Sequence, residues 1–164
     1  YEVRLLDITD EILAKAIQNV RSNLIMMAQS GLISDEEIDT IMSKITTTTD
    51  MNDVKEAQLI IEAVTEDRQL KQNIFERLDN LCPTDTILAT NTSVIRITEI
   101  AAKARYRERI LGTHFWNPPY LVPLVEVIKG DDSSDEIIEK TCRVLRSVGK
   151  HPVTVMKDLS LIHI

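Results

Sequence analysis

The hydrophobic positions of this chain follow two alternating patterns, one typical of strands and the other typical of helices. Short runs of apolar and β-branched residues occur at 1–6, 45–49, 58–63, 86–90, 110–114, 124–128 and 151–155. Between most of these runs, apolar side chains recur every three or four positions, as they do on one face of a helix. Short strands that alternate with helices predict an α/β fold, namely a doubly wound parallel sheet with flanking helices.

The predicted helices carry start and stop signals. Thr9 or Asp10 can cap a long first helix, and Gly31 is well placed to end it. Residues 34–37 form a capping box that begins a second helix. Further helices are expected over 68–81, from Thr98 onward, and from the capping pattern at 133–136 to Gly149.

Composition and charge narrow the classes of function. A chain of 164 residues suits one domain with a sizeable core. The formal net charge of −7 argues against a nucleic-acid partner, and no apolar run approaches the roughly 20 residues that span a bilayer. Cys82 and Cys142 lack metal-like or redox-like spacing, so we expect buried thiols, no metal site and a reducing, cytoplasmic setting. The basic stretch 103–109 is expected to be a solvated loop.

A histidine and a glutamate occupy two successive predicted strands. His114 ends one apolar strand, and Glu126 lies within Leu124–Ile128, a strand interior that normally excludes charge. A histidine can accept and return a proton near neutral pH, and a carboxylate held against its second ring nitrogen makes it a better base. We therefore interpret the two residues as a candidate proton-transfer pair. The alternative is a structural histidine and a glutamate that faces water.

Charged side chains stand just after two of the predicted strands, at the edge where open α/β sheets bind ligands. Asp7 follows the first strand, where an acidic residue of a dinucleotide-binding fold bonds the adenosine ribose and favours NAD over NADP. The alternative for Asp7 is an ordinary turn residue. Glu66 and Lys71 follow the 58–63 strand, and their alternative is a helix-start acid with a solvated lysine.

Polar residues follow two later strands in the same way. Ser93 ends a loop of three hydrogen-bonding residues that could hold a substrate oxygen or could cap the next helix. Asn117 precedes two prolines, which restrict the backbone and would hold it near His114; a purely structural turn is the alternative. The aromatic residues around it, including Trp116, are expected to fill space.

Several segments together resemble one enzyme family. They are 91–98, 112–118 and Leu124–Ile128, and the stretches 149–153 and 157–158 extend the match. Together they resemble the NAD-binding domain of L-3-hydroxyacyl-CoA dehydrogenases, over nearly the whole chain up to about Asp158. The resemblance implies a Rossmann-type fold, NAD as the cofactor, and one NAD-binding domain over residues 1–158.

The resemblance also implies roles for individual residues. His114 matches the catalytic base and Glu126 its carboxylate partner, in the reversible oxidation of L-3-hydroxyacyl-CoA to 3-oxoacyl-CoA, a step of fatty-acid and butanoate metabolism. Ser93 and Asn117 match polar contacts to the substrate and the nicotinamide. The other positions that match NAD contacts are Asp7, Glu66 and Lys71. The parent protein is expected to be a homodimer through its C-terminal domain.

Two parts of the family pattern are absent. None of the four glycines lies in a Gly-x-Gly-x-x-Gly loop, and residues 159–164 do not match the continuation into a C-terminal domain. In the strand order 3-2-1-4-5-6, the absent strand separates the first visible strand from the 58–63 strand. We therefore expect these two strands not to pair and to lie roughly 9–10 Å apart, two strand spacings. We also expect the isolated chain to be poorly stable and inactive.

The sequence allows two alternatives to a dehydrogenase of CoA thioesters. Asn23 and Ser30 stand where CoA-specific relatives often carry serine and lysine. One alternative is therefore a dehydrogenase of a non-CoA 3-hydroxy acid such as carnitine or L-gulonate. The 116–120 segment resembles the corresponding segment of such dehydrogenases. Another alternative is a catalytically silent, crystallin-like relative.

Overall fold

The computed structural model describes residues 1–158. Its strands are β1 (Val3–Leu6), β2 (Ile45–Thr48), β3 (Leu59–Glu62), β4 (Ile87–Thr90), β5 (Ile110–Phe115), β6 (Leu124–Ile128) and β7 (His151–Val155). Its α-helices are α1 (Asp10–Gln29), α2 (Asp35–Met42), α3 (Arg68–Leu81), α4 (Ile97–Ile100) and α5 (Asp135–Ser147). Short 3-10 helices lie at Met51–Val54, Ala101–Lys103 and Arg107–Arg109.

The predicted start signals form as expected. The Thr9 hydroxyl accepts the backbone N–H of Ile12 at 3.3 Å at the start of α1. At the start of α2, the Glu37 carboxylate accepts the backbone N–H of Ser34 at 2.8 Å, as in a capping box. These contacts satisfy amide groups that have no partner inside the first turn of a helix. The sequence therefore predicts the helix starts from local chemistry alone.

The first of two compact units covers Tyr1–Val54. In it, β1 and β2 pair in parallel, with Val3 opposite Ile45 and Leu6 opposite Thr48. An exposed ion pair of 2.9 Å joins Arg21 of α1 to Asp39 of α2. The buried apolar side chains of this unit are Leu13, Leu24, Ile38 and Val54.

The second unit begins at Lys55 and contains a five-stranded sheet in the order β3-β4-β5-β6-β7. β3, β4 and β5 run parallel to one another, and β6 runs parallel to β7. Side chains of α5 such as Ile138 and Leu145 share a core with Leu111, Val125 and Val127 of the sheet. A mostly parallel sheet with flanking helices confirms the predicted α/β class.

One pair of neighbouring strands departs from the expected parallel arrangement. β5 and β6 are antiparallel, with Gly112 opposite Ile128 and Phe115 opposite Val125. Only residues 116–123 connect the two strands. A parallel crossover needs a dozen or more residues, usually with a helix, so this short connection reverses the chain instead.

Within the first unit β1 pairs with β2, and within the second unit β3 pairs with β4. The expected spacing of two strand widths stays a prediction. A near-continuous apolar run such as 58–63 predicts a strand covered on both faces, but this prediction is wrong at Ile61, which is 42% exposed. β3 lies at the edge of its sheet, whereas β4, inside the sheet, is buried at all four positions.

The basic stretch 103–109 is not entirely a solvated loop. Arg109 is 1% exposed and pairs with the buried carboxylate of Asp79, at 2.9 Å between Nη2 and Oδ1. Its guanidinium also donates to the backbone carbonyls of Cys82 and Pro83. Because a buried charge requires partners, this contact ties the end of α3 to the start of β5.

The predicted thiols are buried. Cys82 and Cys142 are free and 6% and 5% exposed, and burial raises the pKa of the Cys82 thiol. Within residues 1–158, no helix has both the length and the apolar character needed to cross a bilayer. In the same residues, no three histidine, cysteine or acidic side chains cluster in a way that could hold a metal ion.

Candidate active site

The carboxyl ends of three neighbouring parallel strands carry the polar residues of interest. β3, β4 and β5 end at Glu62, Thr90 and Phe115, and the segments that follow them lie at one edge of the sheet. Open α/β sheets bind ligands at this edge. Ser93 follows β4, and His114 is near the end of β5.

His114 and Glu126 are directly opposite each other in the antiparallel ladder of β5 and β6. His114 Nδ1 lies 2.9 Å from Glu126 Oε2, and both side chains are largely buried, at 17% and 16% exposed. Along β6, the buried Val125 and Val127 alternate with the partly exposed Glu126. Glu126 therefore lies on the opposite face of the sheet from this apolar pair, where a charge is tolerated.

Ser93 meets the other ring nitrogen of His114. Its Oγ lies 3.1 Å from His114 Nε2. If Nδ1–H donates to Glu126, the neutral imidazole has an unprotonated Nε2 that can accept a hydrogen bond from Ser93. The three side chains thus form one hydrogen-bonded line in which the nitrogen beside Ser93 is the basic one.

Two further residues, which the sequence analysis did not assign to the site, help to hold the Ser93–His114–Glu126 line in place. The Trp116 indole Nε1–H donates to Glu126 Oε2 at 3.2 Å, although we expected Trp116 only to fill space. The Asn91 side chain accepts the backbone N–H of Phe115 at 2.9 Å, which ties the loop after β4 to the end of β5. The spacing of Trp116 two positions after His114 is the signal that could have found it, since alternate strand residues share a face.

Glu66 holds the loop that presents Ser93. Its carboxylate accepts the backbone N–H groups of Ser93 and Val94 at 3.2 and 3.0 Å and the hydroxyl of Thr92. Partial burial by itself raises the pKa of Glu66, but the hydrogen bonds from Thr92 and Val94 and the charge of Lys71 outweigh it, so the pKa lies below its ordinary value. Glu66 is therefore a carboxylate at neutral pH.

Lys71 lies inside the protein rather than in solvent. Its side chain is 0% exposed, and its ammonium lies 2.7 Å from Glu62 Oε1 and 3.4 Å from Glu66 Oε2. Glu62, which the sequence analysis did not select, also accepts the hydroxyl of Thr90 at 2.7 Å. The alternative of a solvated lysine is wrong. The sequence contained a signal for Glu62, because a charged residue at the end of an apolar strand needs a partner. Glu126 was selected for the same reason, as a charged residue within an apolar strand.

The two remaining predicted residues are Asn117, in the second unit, and Asp7, in the first. Asn117 is exposed in the loop after β5 and precedes Pro118. Asp7 belongs to the first unit, where it follows β1 and accepts its neighbour Ile8 N–H at 2.7 Å with Oδ1. Contact of Asp7, Glu66, Lys71, Ser93 and Asn117 with a cofactor stays a prediction.

The domain family of 3-hydroxyacyl-CoA dehydrogenase, NAD binding domain, matches residues 1–159. The chain belongs to this family. The dehydrogenase domain is 37% identical over 153 residues to 3-hydroxyadipyl-CoA dehydrogenase of Escherichia coli, covering 93% of this chain and 32% of that protein. It is 37% identical over 158 residues to 3-hydroxybutyryl-CoA dehydrogenase of Clostridioides difficile, covering 96% and 56%.

Solved structures give the same result for the dehydrogenase domain. The (S)-3-hydroxybutyryl-CoA dehydrogenase of Ralstonia eutropha superposes with a TM-score of 0.91 at 32% identity, covering 96% of this chain and 55% of that one. The chain therefore spans between about a third and just over half the length of these relatives. Relatives at 33% and 36% identity include a peroxisomal protein of Arabidopsis thaliana and a mitochondrial protein of Rattus norvegicus, so the cytoplasmic location stays a prediction.

The cofactor of this dehydrogenase domain is NAD. The residues at the carboxyl ends of the strands are compatible with it, because Ser93 and Asn117 are exposed there and can reach a bound molecule. The Asp7 carboxylate uses one oxygen on Ile8, which leaves the other for a ribose hydroxyl.

Proposed function

We propose that the protein to which this domain belongs catalyses the NAD-dependent, reversible oxidation of L-3-hydroxyacyl-CoA to 3-oxoacyl-CoA. The hydrogen-bonded line of Ser93, His114 and Glu126 supports this proposal most directly. It presents a basic imidazole nitrogen at the ligand-binding edge of an NAD-binding fold. Oxidation of an alcohol with a nicotinamide requires such a base for the hydroxyl proton.

His114 is the proton acceptor in this proposal. A substrate hydroxyl that binds beside Ser93 Oγ lies within reach of His114 Nε2, because these two atoms are 3.1 Å apart. Glu126 stabilises the positive charge that then forms on the imidazole, and its low exposure strengthens this electrostatic effect. A bound NAD would supply the hydride acceptor for C3 of the substrate. In the reverse direction, His114 returns the proton to the carbonyl oxygen.

The other predicted residues bind and position in this proposal. Asp7 would bind the adenosine ribose, and Ser93 and Asn117 would contact the substrate and the nicotinamide. Glu66 orders the loop that carries Ser93 through three hydrogen bonds. Since the ammonium of Lys71 is buried against Glu62 and Glu66, we infer that Lys71 serves the cofactor by holding Glu66 in place.

The role of the pair is tested by His114→Gln and Glu126→Gln in the full-length protein. We expect each to lower kcat by about 10²–10⁴-fold, because general-base catalysis contributes on that order. His151→Gln, an exposed histidine on β7, is the control and should leave kcat unchanged. Full activity of His114→Gln would contradict the proposal, whereas a full-length protein without dehydrogenase activity would favour the crystallin-like alternative.

A second candidate is a dehydrogenase whose substrate carries no CoA. The observation that favours it is the similarity to a solved NAD⁺-dependent enzyme, 5-formyl-3-hydroxy-2-methylpyridine 4-carboxylic acid 5-dehydrogenase, at 27% identity and a TM-score of 0.72, because that enzyme is named for a substrate without CoA. Turnover of acetoacetyl-CoA and of dehydrocarnitine by the full-length protein separates the two candidates. We expect kcat/KM to favour acetoacetyl-CoA, since the relatives at 37% identity are named for CoA thioesters.

We also propose that the full-length protein is a homodimer that works in the cytoplasm. Family membership supports the dimer, and the two free cysteines are compatible with a reducing compartment. Light scattering of the full-length protein should give twice the monomer mass, and fractionation of source cells should recover it with cytoplasmic markers. A monomeric mass or an organelle-bound fraction would contradict these two proposals.

A further inference from the structure

Trp116 contacts the same carboxylate oxygen as His114. Glu126 Oε2 lies 3.2 Å from the indole Nε1 and 2.9 Å from the imidazole Nδ1. The two rings meet edge to face, with centroids 6.1 Å apart and planes at 71°. Since Trp116 is 46% exposed, burial does not account for this placement. The hydrogen bond to Glu126 and the ring contact with His114 hold the indole in place.

Both donors can use this oxygen at the same time. A carboxylate oxygen has two lone pairs, and Glu126 Oε2 therefore accepts from the imidazole and the indole together. Each hydrogen bond draws negative charge toward its own donor. The indole N–H thus competes with the imidazole for the charge of Glu126 while it holds the carboxylate group in its rotamer.

We propose that Trp116 is a positioning residue of the His114–Glu126 pair, whose indole N–H fixes Glu126 and takes up part of its negative charge. The proposal rests on the proton-transfer role proposed above and adds a third side chain to it. A phenylalanine would occupy similar space without this effect, because it has no N–H. The expected consequence is a less stabilised imidazolium once His114 has accepted a proton.

Charged groups that contact the Ser93 loop and the 116–123 connection have partners of their own. Glu66 reaches the Ser93 loop and is paired with Lys71. Lys150, before β7, donates to the carbonyls of Pro119 and Val122, and desolvation by burial lowers its pKa. None of these groups contacts Trp116 through a hydrogen bond or ion pair among the described residues. Among the hydrogen bonds and ion pairs of the described residues, substitution of Trp116 therefore removes the one to Glu126, together with the ring contact to His114.

The test uses the full-length protein with Trp116→Phe and with benzothienylalanine at position 116, an isostere in which sulfur replaces the N–H. Nuclear magnetic resonance of ¹⁵N-labelled histidine follows the titration of His114, whose signals are identified by their loss in His114→Gln. We expect the His114 signals to change at a higher pH in both variants than in the parent protein, because one hydrogen bond to the carboxylate is lost. The acid limb of kcat/KM should move in the same direction, with KM for NAD unchanged.

Leu121→Ala is the control, since Leu121 lies in the same connection and is 50% exposed. It should leave the titration of His114 unchanged. If the His114 signals of the isostere variant change at the same pH as in the parent protein, or at a lower pH, the proposal is overturned and Trp116 is a space-filling residue. The histidine titration needs no turnover, so the result is distinct from a failure of the proposed function, which His114→Gln reports through activity.

Discussion

The charge of the Glu66 carboxylate and the geometry of the Ser93 loop depend on each other. Its carboxylate accepts from Thr92, Ser93 and Val94 and lies 3.4 Å from the Lys71 ammonium. These contacts favour the ionised form of Glu66 in the folded protein more than in the unfolded chain. Loop order and protonation state at this position are therefore coupled.

The stability that Glu66 contributes should depend on pH. The folded-state pKa is lowered, so the contribution is present above the ordinary glutamate pKa and is lost as pH falls through the depressed folded value. We expect Glu66→Gln to lower the urea midpoint near pH 7 and to approach the parent protein in acid. Glu76→Gln, an exposed residue on α3, is the control. An equal loss at all pH values would contradict a charge-based contribution.

Removal of the positive charge of Lys71 should lower the stability of the domain. Its ammonium is 2.7 Å from Glu62, and the two side chains are 0% and 3% exposed. We expect Lys71→Met to destabilise the domain by about 3–5 kcal/mol, since it leaves the Glu62 carboxylate buried without its cation. Denaturant unfolding measures the change. Lys71→Met combined with Glu62→Leu should recover much of the loss, and no recovery would indicate that packing rather than charge explains the effect.

At the scale of elements, α4 packs very closely on β5 and β6. A Cβ built on Gly112 of β5 would lie 2.8 Å from Ile97 Cδ1 and 3.0 Å from Ile128 Cβ. The first atom is the end of a side chain, but the second belongs to the neighbouring strand. A glycine two positions before His114 therefore allows the helix and the strands to approach.

We expect Gly112→Ala to destabilise the domain by about 1–3 kcal/mol, because overpacking forces side chains or backbone to move. Thermal unfolding followed by circular dichroism measures the loss. Ile97→Val combined with Gly112→Ala removes the Cδ1 atom and should restore part of the stability. A neutral Gly112→Ala variant would show that β5 and β6 separate easily at this point.

The elements were predictable where local chemistry decides them. The periodicity and caps at Thr9 and Ser34 define helices without reference to distant residues, and α3 and β7 have the predicted bounds. The direction of β6 depends on which strand it pairs with, and the expectation of a parallel sheet was wrong for β5 and β6. The burial of Arg109 also depends on a distant partner, Asp79, and was missed.

At the scale of the whole molecule, the two units have unequal cores. The first unit has a two-stranded sheet and the buried apolar residues Leu13, Leu24, Ile38 and Val54. The second unit has a five-stranded sheet whose core includes nine buried residues. Two paired strands with so little buried apolar surface are marginally stable in water.

We therefore expect the isolated chain of 164 residues to be poorly stable and to lack NAD reduction. Amide hydrogen exchange should be faster throughout residues 1–54 than in β4 and β5, because local opening follows buried contact area. The full-length protein is the control and should protect both regions. Equal protection of the two units in the isolated chain, with a single cooperative melt, would contradict this prediction.

Periodicity, caps and an unexpected charge are local signals, and they were enough to predict the α/β class, the positions of most elements and a candidate pair of His114 and Glu126. Several other contacts and one strand direction are set only in the folded chain. Trp116 contacts Glu126, Lys71 is buried against Glu62, and β6 runs antiparallel to β5. These features depend on burial and on contacts between distant residues, because the charge or hydrogen-bonding capacity of a side chain does not specify its partner.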